Sequence, residues 1–238
     1  MKIAFVVPAY RAERSVSAVV RELVAHSESL PERCDPCVLV VDDGSDDATA
    51  ALAEAAGASV IRHAQNRGKG AALLTGFRRA QELGARAVVT VDADGQHPPS
   101  EALALACHPA PEGALVLGVR DLRSAGAPRK NRFSNAFSNA WMSFFAGQSL
   151  RDTQCGLRRY PLPETLQLGL SGSGYELESE VILKAVRAGV RVVEVGVHVI
   201  YPPASERVTH FHSVRDPARI VVRILHTAFT TQKRRAPS

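Results

Sequence analysis

The amino-acid sequence predicts an α/β fold in which helices cover both faces of a central, mostly parallel sheet. Short β-branched runs alternate with segments whose apolar residues recur at helical spacing, and this alternation is typical of a parallel sheet. Pro8, Asp42 and Asp92 each follow a predicted strand. Because ligands bind at the carboxyl ends of parallel strands, we expect these three residues to lie at one functional edge.

The first 80 residues of the chain supply three of the predicted strands. Each is a run of aliphatic residues that ends at proline, aspartate or a polar loop. Ser15 would cap the first helix, and glycines at 68 and 70 mark the start of another. In chain order, the strands and helices alternate at residues 2–7, 16–24, 38–41, 48–55, 59–62 and 66–80.

The rest of the chain begins with a β-branched strand at residues 86–90. The remaining predicted elements are a helix at 100–107, a strand at 114–118, helices at 133–145 and 175–185, a strand at 192–199 and a helix at 217–233. The last helix has apolar residues on one face and a basic rim, so we expect 1–214 to form the main domain and 215–238 an amphipathic helix and tail. We expect this helix to attach the protein to an anionic membrane surface. Arg223 argues against a membrane span in this segment.

Composition excludes several classes of protein. Of the 238 residues, 45% are hydrophobic and 22% are charged, which is typical of a globular chain. The N-terminal apolar run is too short for a signal peptide, so we expect a cytoplasmic protein. Basic residues concentrate at 120–132 and 207–235. They favour phosphate-bearing ligands or an anionic membrane surface, and the chain has no motif for reading nucleic acids.

Asp92 and Asp94 are the first candidates for chemistry. Alternate positions along a strand point to the same side, so their carboxylates repel each other unless a cation lies between them. Oxygen ligands suit Mg²⁺ or Mn²⁺, and Gln96 could add a neutral oxygen. A capped turn without function is the alternative interpretation.

Four ordered motifs resemble one known family. They are Val7-Pro8-Ala9-Tyr10, Val41-Asp42-Asp43-Gly44-Ser45, Asn66-Arg67-Gly68-Lys69-Gly70-Ala71-Ala72 and Asp92-Ala93-Asp94-Gly95-Gln96-His97-Pro98-Pro99. Together they resemble the family-2 inverting glycosyltransferases, above all the branch that glycosylates dolichyl or polyprenyl phosphate. The resemblance implies a GT-A fold, a nucleotide-diphosphate sugar as donor and a divalent metal. Arg11 stands where the family usually has asparagine.

The resemblance also implies roles for individual residues. The nucleotide would contact Pro8, Tyr10, Glu13, Asp42, Lys69 and Asp92, and the metal would be held by Asp94 and Gln96 with Asp92 beside them. Residues 118–121 and 151–156 resemble the next two family motifs, and we expect Asp94, Asp152 and Arg120 to act in catalysis. The candidates for binding the acceptor phosphate are Arg129, Lys130, Arg132, Arg207 and His210.

Five aromatic side chains follow Arg132 within residues 133–145. Phe133, Phe137, Trp141, Phe144 and Phe145 lie mostly at helical spacing. Such a stripe belongs either to the core or to a helix at the membrane interface, and both interpretations stay open here.

The expected activity is therefore the transfer of a hexose, with inversion, from a donor of the GDP-mannose or UDP-glucose type to a polyprenyl or dolichyl phosphate. The enzyme would be peripheral on the cytoplasmic face of the membrane. One alternative is a glycosyltransferase whose acceptor is a sugar or small-molecule hydroxyl. Another is a non-catalytic module that binds a nucleotide sugar or lipid. The sequence leaves the base, the sugar and the lipid length open.

Overall fold

The computed structural model describes residues 2–27, 35–200 and 215–230, and a seven-stranded sheet lies at its centre. The strands are β1 (Lys2–Ala9), β2 (Asp35–Asp42), β3 (Ser59–Arg62), β4 (Ala87–Thr90), β5 (Leu115–Arg120), β6 (Arg158–Pro161) and β7 (Val192–Val197). Their spatial order is β3-β2-β1-β4-β6-β5-β7. All neighbouring strands run parallel except β6, which is antiparallel to both β4 and β5.

Helices cover both faces of this sheet. They are α1 (Val16–Ser27), α2 (Thr49–Ala55), α3 (Lys69–Glu82), α4 (Pro99–Cys107), α5 (Arg129–Ala146), α6 (Glu176–Arg187) and α7 (Arg215–Thr230). Phe5 of β1 belongs to a core that includes α1, α2 and α4, whereas the adjacent Val6 belongs to a core that includes α3, α5, α6 and α7. Strands buried on both faces explain the continuous apolar runs in the sequence. The predicted α/β class, with a mostly parallel sheet, is confirmed.

Strand β6 was not predicted, because its sequence, Arg158-Arg159-Tyr160-Pro161, carries two adjacent cations. Arg158 is fully buried, yet its guanidinium donates to the backbone carbonyls of Cys155, Glu178 and Thr153 at 2.7–2.8 Å. Arg159 donates to three carbonyls at the end of α4. Buried cations are tolerated when their donors are satisfied in this way.

Helix α7 packs against α6. Ile224 is buried, and Arg223 donates to the hydroxyl of Ser171 at 2.8 Å. Arg187 of α6 in turn donates to the carbonyls of Thr227 and Ala228. Arg223 thus faces the protein, and the separation of 215–238 from the main domain stays a prediction. Within the described ranges, no helix is long and apolar enough to cross a bilayer.

The aromatic stripe of α5 is divided between core and solvent. Phe133, Phe137 and Phe144 are 76%, 58% and 77% exposed. Trp141 and Phe145 are half-buried against the core, with ring centroids 5.1 Å apart. The core interpretation therefore holds for Trp141 and Phe145, while the membrane interpretation of the three exposed rings stays a prediction.

Candidate active site

The carboxyl ends of β1, β2 and β4 bring three of the sequence motifs to one edge of the sheet. Ala9 pairs with Asp42 across β1 and β2, while Val6 pairs with Thr90 across β1 and β4. The amide of Val91 also donates to the carbonyl of Val6 at 3.1 Å, so the chain leaves β4 alongside β1. The predicted convergence of Pro8, Asp42 and Asp92 therefore follows directly from the strand register.

Asp42 is fully buried at this edge. Its Oδ1 accepts a hydrogen bond from the amide of Ser45 at 3.0 Å, and its Oδ2 lies 3.3 Å from Nε of Arg62. Among the described residues, Oδ2 has no hydrogen-bond partner. A buried carboxylate oxygen that lacks a hydrogen bond is suited to accept one from an N–H of a ligand.

The segment after β1 is held against the loop that follows β2. Glu13 accepts a hydrogen bond from the amide of Ala48 at 3.3 Å, and Arg11 pairs with Asp46 at 2.7 Å. Arg11 has a φ of 48°, in the left-handed region. Asparagine adopts that region more readily than most other residues, which explains the family preference at this position. Tyr10 and Pro8 are half-buried beside this turn.

Lys69 begins α3 and points to two carboxylates. Its Nζ lies 2.7 Å from Oδ1 of Asp92 and 3.4 Å from both oxygens of Glu178. Burial acts against the charge of Lys69, but the two carboxylates outweigh it and raise the pKa of the lysine above its usual range. Burial likewise opposes the charge of Asp92, and Lys69 outweighs it and lowers the pKa of Asp92. The pair is therefore ionised at neutral pH.

Asp94 is exposed at the mouth of this site, although neighbouring protein still displaces much of the surrounding water. Its Oδ1 accepts a hydrogen bond from the amide of Gln96 at 2.9 Å. Partial desolvation and the charge of Asp92 raise the pKa of Asp94 to about 6. A nearby cation would relieve this repulsion.

The fit of a metal to these residues depends on ligands from outside the protein. In the described part of the chain, no three His, Cys, Asp or Glu side chains converge on one point. Mg²⁺ and Mn²⁺ are commonly bound by one or two carboxylates together with water and phosphate oxygens. Asp94, with Asp92 behind it, fits such an open site and does not form a closed protein cage.

Gly156 closes the floor of the site. A Cβ at this position would overlap the carboxylate of Asp92. The carbonyl of Gly156 accepts a hydrogen bond from the hydroxyl of Thr90 at 2.6 Å, which holds this loop at the end of β4. Glycine is therefore required here to leave room for Asp92.

Arg120 and Asp152 form a buried ion pair next to the site. Nε of Arg120 donates to Asp152 at 2.7 Å and Nη2 at 2.9 Å, and the side-chain amide of Asn135 adds a third hydrogen bond at 2.8 Å. Burial opposes ionisation of Asp152, but these donors prevail and its pKa is lowered. Arg120 and Asp152, both predicted to act in catalysis, therefore fix each other's side-chain orientation.

The predicted acceptor cations are only partly covered by the structure. Arg129, Lys130 and Arg132 lie in the first turn of α5, where Arg129 and Lys130 are exposed. Arg207 and His210 lie outside the described residues. Their assignment to the acceptor phosphate stays a prediction.

Two residues of this edge were missing from the sequence-based site, namely Arg62 and His63 at the end of β3. Arg62 contacts Asp42, and His63 contacts Asp43. The rule that placed Asp42 at the carboxyl edge applies equally to the neighbouring strand β3, so the signal was present.

Comparisons with known proteins agree with this geometry. The model of Glycosyl transferase family 2 matches residues 4–159. The UDP-N-acetylglucosamine--dolichyl-phosphate N-acetylglucosaminyltransferase of Methanococcus voltae is 29% identical over 224 residues, which cover 84% of this chain and 86% of that protein. Glycosyltransferase AglJ of Haloferax volcanii is 32% identical over 198 residues, which cover 81% of this chain and 63% of that protein.

A solved structure shows the same fold. The glucosyl-3-phosphoglycerate synthase from Mycobacterium tuberculosis, crystallised with Mn²⁺, uridine diphosphate and phosphoglyceric acid, superposes with a TM-score of 0.72 at 19% identity. The match covers 97% of this chain and 80% of that one. The chain belongs to glycosyl transferase family 2, and its sheet and helices form the GT-A fold.

Proposed function

We propose that this protein transfers a hexose, with inversion, from a nucleotide-diphosphate sugar to a polyprenyl or dolichyl phosphate. The observation that carries the proposal is the 2.7 Å contact between Nζ of Lys69 and Oδ1 of Asp92, which lies at the carboxyl edge with Asp94 open to solvent. The name of the Methanococcus voltae relative, which covers most of both chains, supports a lipid phosphate as acceptor.

The donor would be held by residues from three strand ends. Oδ2 of Asp42 makes no hydrogen bond, although Nε of Arg62 lies 3.3 Å away, and it would accept an N–H from the base. Tyr10, Pro8 and Glu13 would complete the contacts to the nucleotide. Lys69 fixes the carboxylate of Asp92 and adds a positive charge near the diphosphate. Asp94, Asp92 and Gln96 would hold Mg²⁺ or Mn²⁺, which when bound supplies Lewis-acid assistance to the departing diphosphate.

A phosphate acceptor agrees with the state of the local carboxylates. A hydroxyl must lose its proton as it attacks and needs a general base, whereas a phosphate monoester is already nucleophilic at neutral pH. Asp152 is bound to Arg120, and Glu178 lies beside Lys69. Glu176 accepts hydrogen bonds from the amides of Ser173 and Gly174 at 3.1 Å. None of these three carboxylates is a free base, and the exposed Asp94 is assigned here to the metal, so this arrangement disfavours the hydroxyl-acceptor alternative.

The first turn of α5 supports an approach from a membrane. Arg129 and Lys130 are exposed next to the exposed Phe133 and Phe137. Cations beside apolar rings suit a lipid phosphate whose chain lies in a bilayer. We propose peripheral attachment at the cytoplasmic face by this surface.

The decisive experiment compares a short polyprenyl phosphate with the matching free alcohol, using GDP-mannose, UDP-glucose and UDP-N-acetylglucosamine as donors with Mn²⁺. We expect product from the phosphate alone. Product from the alcohol at a comparable rate, abolished by one carboxylate substitution, would establish the hydroxyl-acceptor enzyme. Donor binding without transfer or hydrolysis would establish a non-catalytic module.

A further inference from the structure

His63 follows β3 and is only 7% exposed. Its Nδ1 lies 2.6 Å from Oδ1 of Asp43, and its Nε2 lies 2.9 Å from the hydroxyl of Thr75 on α3. An ionised carboxylate can only accept a hydrogen bond, so Nδ1 carries the proton. The Thr75 hydroxyl is able to donate to Nε2 or to accept from it. The ring therefore links the end of β3 to α3 through Asp43 on one side and Thr75 on the other.

Asp43 uses the same carboxylate to hold the loop before α3. Its Oδ1 accepts a hydrogen bond from the amide of Arg67 at 3.0 Å, and its Oδ2 accepts one from the amide of Gly68 at 2.7 Å. Lys69 is the next residue in the chain. The orientation of one buried carboxylate therefore sets where the backbone delivers Lys69.

The loop has little freedom to shift on its other sides. A Cβ on Gly44 would overlap the backbone of Gln65 and Asn66, so the turn after β2 and this loop are in close contact. In the first turn of α3, the amide of Ala71 donates to the carbonyl of Ser173 at 3.0 Å. A change in the orientation of Asp43 would thus pass to Lys69, whose Nζ must meet Asp92 at 2.7 Å.

We propose that His63 is a positioning residue of the donor site. By donating to Asp43, it orients the carboxylate that holds the Arg67 and Gly68 amides, and so sets Lys69 against Asp92 for the nucleotide diphosphate. The proposal rests on the proposed function, because it assumes that this edge binds a nucleotide diphosphate.

Two substitutions of His63 test the roles of its two ring nitrogens separately. The amide nitrogen of asparagine reaches about as far as Nδ1, and that of glutamine about as far as Nε2. His63→Asn therefore keeps a donor for Asp43, whereas His63→Gln keeps a partner for Thr75. Thr75→Val is the matched control, since it removes the Nε2 contact and leaves the Nδ1 contact intact.

The readout is the dissociation constant of the full chain for UDP and GDP, each with Mn²⁺, measured well below the melting temperature. His63→Gln should weaken nucleotide binding about tenfold, as expected for the loss of one hydrogen bond to a charged group, while His63→Asn and Thr75→Val stay within about threefold of wild type. Equal binding by His63→Gln and wild type, or equal losses in the Asn and Gln variants, would overturn the proposal. A purely structural role would lower the melting temperature without separating Asn from Gln in affinity.

A measurement on the unmodified chain covers the case in which the variants do not fold. In ¹⁵N-labelled protein, NMR of the His63 ring should show a protonated Nδ1. A bare Nδ1 with a protonated Nε2 would overturn the proposal, because the ring could not then donate to Asp43. Failure of wild type to bind either nucleotide would instead refute the proposed function.

Discussion

Arg120 and Asp152 meet through two side-chain hydrogen bonds, 2.7 and 2.9 Å long, and the backbone amide of Arg120 adds a third at 3.1 Å. Bidentate pairing of this kind fixes both side chains. Asp152 is 2% exposed, so neither charge can be removed without leaving the other largely buried. The pair therefore acts as a rigid support next to the site.

We expect Asp152→Asn to lower the free energy of unfolding by about 3 kcal/mol, because it leaves the guanidinium of Arg120 without its counter-ion. Urea denaturation at pH 7 measures the change. Because the pKa of Asp152 is lowered in the folded protein, the pair stabilises fully above the ordinary carboxyl pKa of about 4 and loses its effect as pH falls through the lowered value. The exposed neighbour substitution Asp121→Asn is the control. Equal stability of both variants would contradict a supporting role for the pair.

Metal binding should depend on pH through Asp94. Its pKa of about 6 means that protons compete with the cation below that value, so Mn²⁺ affinity in the presence of UDP should fall as pH decreases from 7 to 5. Titration calorimetry across this range measures the effect. Asp94→Asn should bind Mn²⁺ weakly at every pH, and the dependence near pH 6 should shrink to the part that comes from the UDP phosphate, whose own pKa is about 6. An unchanged profile in that variant would exclude Asp94 as the titrating ligand.

Chelation by EDTA should abolish transfer in wild type, and added Mn²⁺ should restore it.

The raised pKa of Asp94 also has a consequence for stability. Between pH 4 and 6 the folded protein binds more protons at Asp94 than the unfolded chain does, so this residue's contribution to stability declines as pH rises. The difference in melting temperature between Asp94→Asn and wild type should therefore be more favourable to the variant at pH 7 than at pH 4.

The sheet could be predicted largely from the sequence because β1, β2 and β4 are buried on both faces and their apolar runs have few interruptions. The position of Asp42 and Asp92 followed from the same pattern. Strand β6 was not predictable in this way, since Arg158 satisfies its charge with carbonyls that are distant in sequence. The pairing of Arg120 with Asp152 could not be predicted from the sequence either, because 32 positions separate the two residues.

Gly156→Ala should weaken donor binding through Asp92. The added methyl group would overlap the Asp92 carboxylate and displace it from Lys69, so we expect a loss of about tenfold or more in affinity for UDP with Mn²⁺. The matched control is Gly196→Ala on β7, where nothing lies within 4 Å of the new methyl group. Calorimetry compares the two variants. Similar affinities would mean that the site adapts to the extra methyl.

The exposed phenylalanines of α5 should carry membrane attachment. Replacing Phe133, Phe137 and Phe144 with serine should reduce sedimentation with anionic vesicles while the melting temperature changes little, since all three rings are exposed. Val222→Ser on α7 is a control with a 67% exposed apolar side chain. If the triple variant sediments as wild type does, and Val222→Ser does not, α7 provides the contact instead.

The antiparallel strand β6 also sets the order in which the sheet can be assembled. Strands β1 to β4 pair among themselves and are complete once residue 90 has been synthesised. Strand β5 has no partner among them, because β6 lies between β4 and β5. During synthesis, residues 115–120 must therefore wait for residues 158–161 before they can join the sheet. A ribosome pause in this interval would leave a four-stranded sheet whose edge at β4, which β6 covers in the finished fold, is open and available to a chaperone.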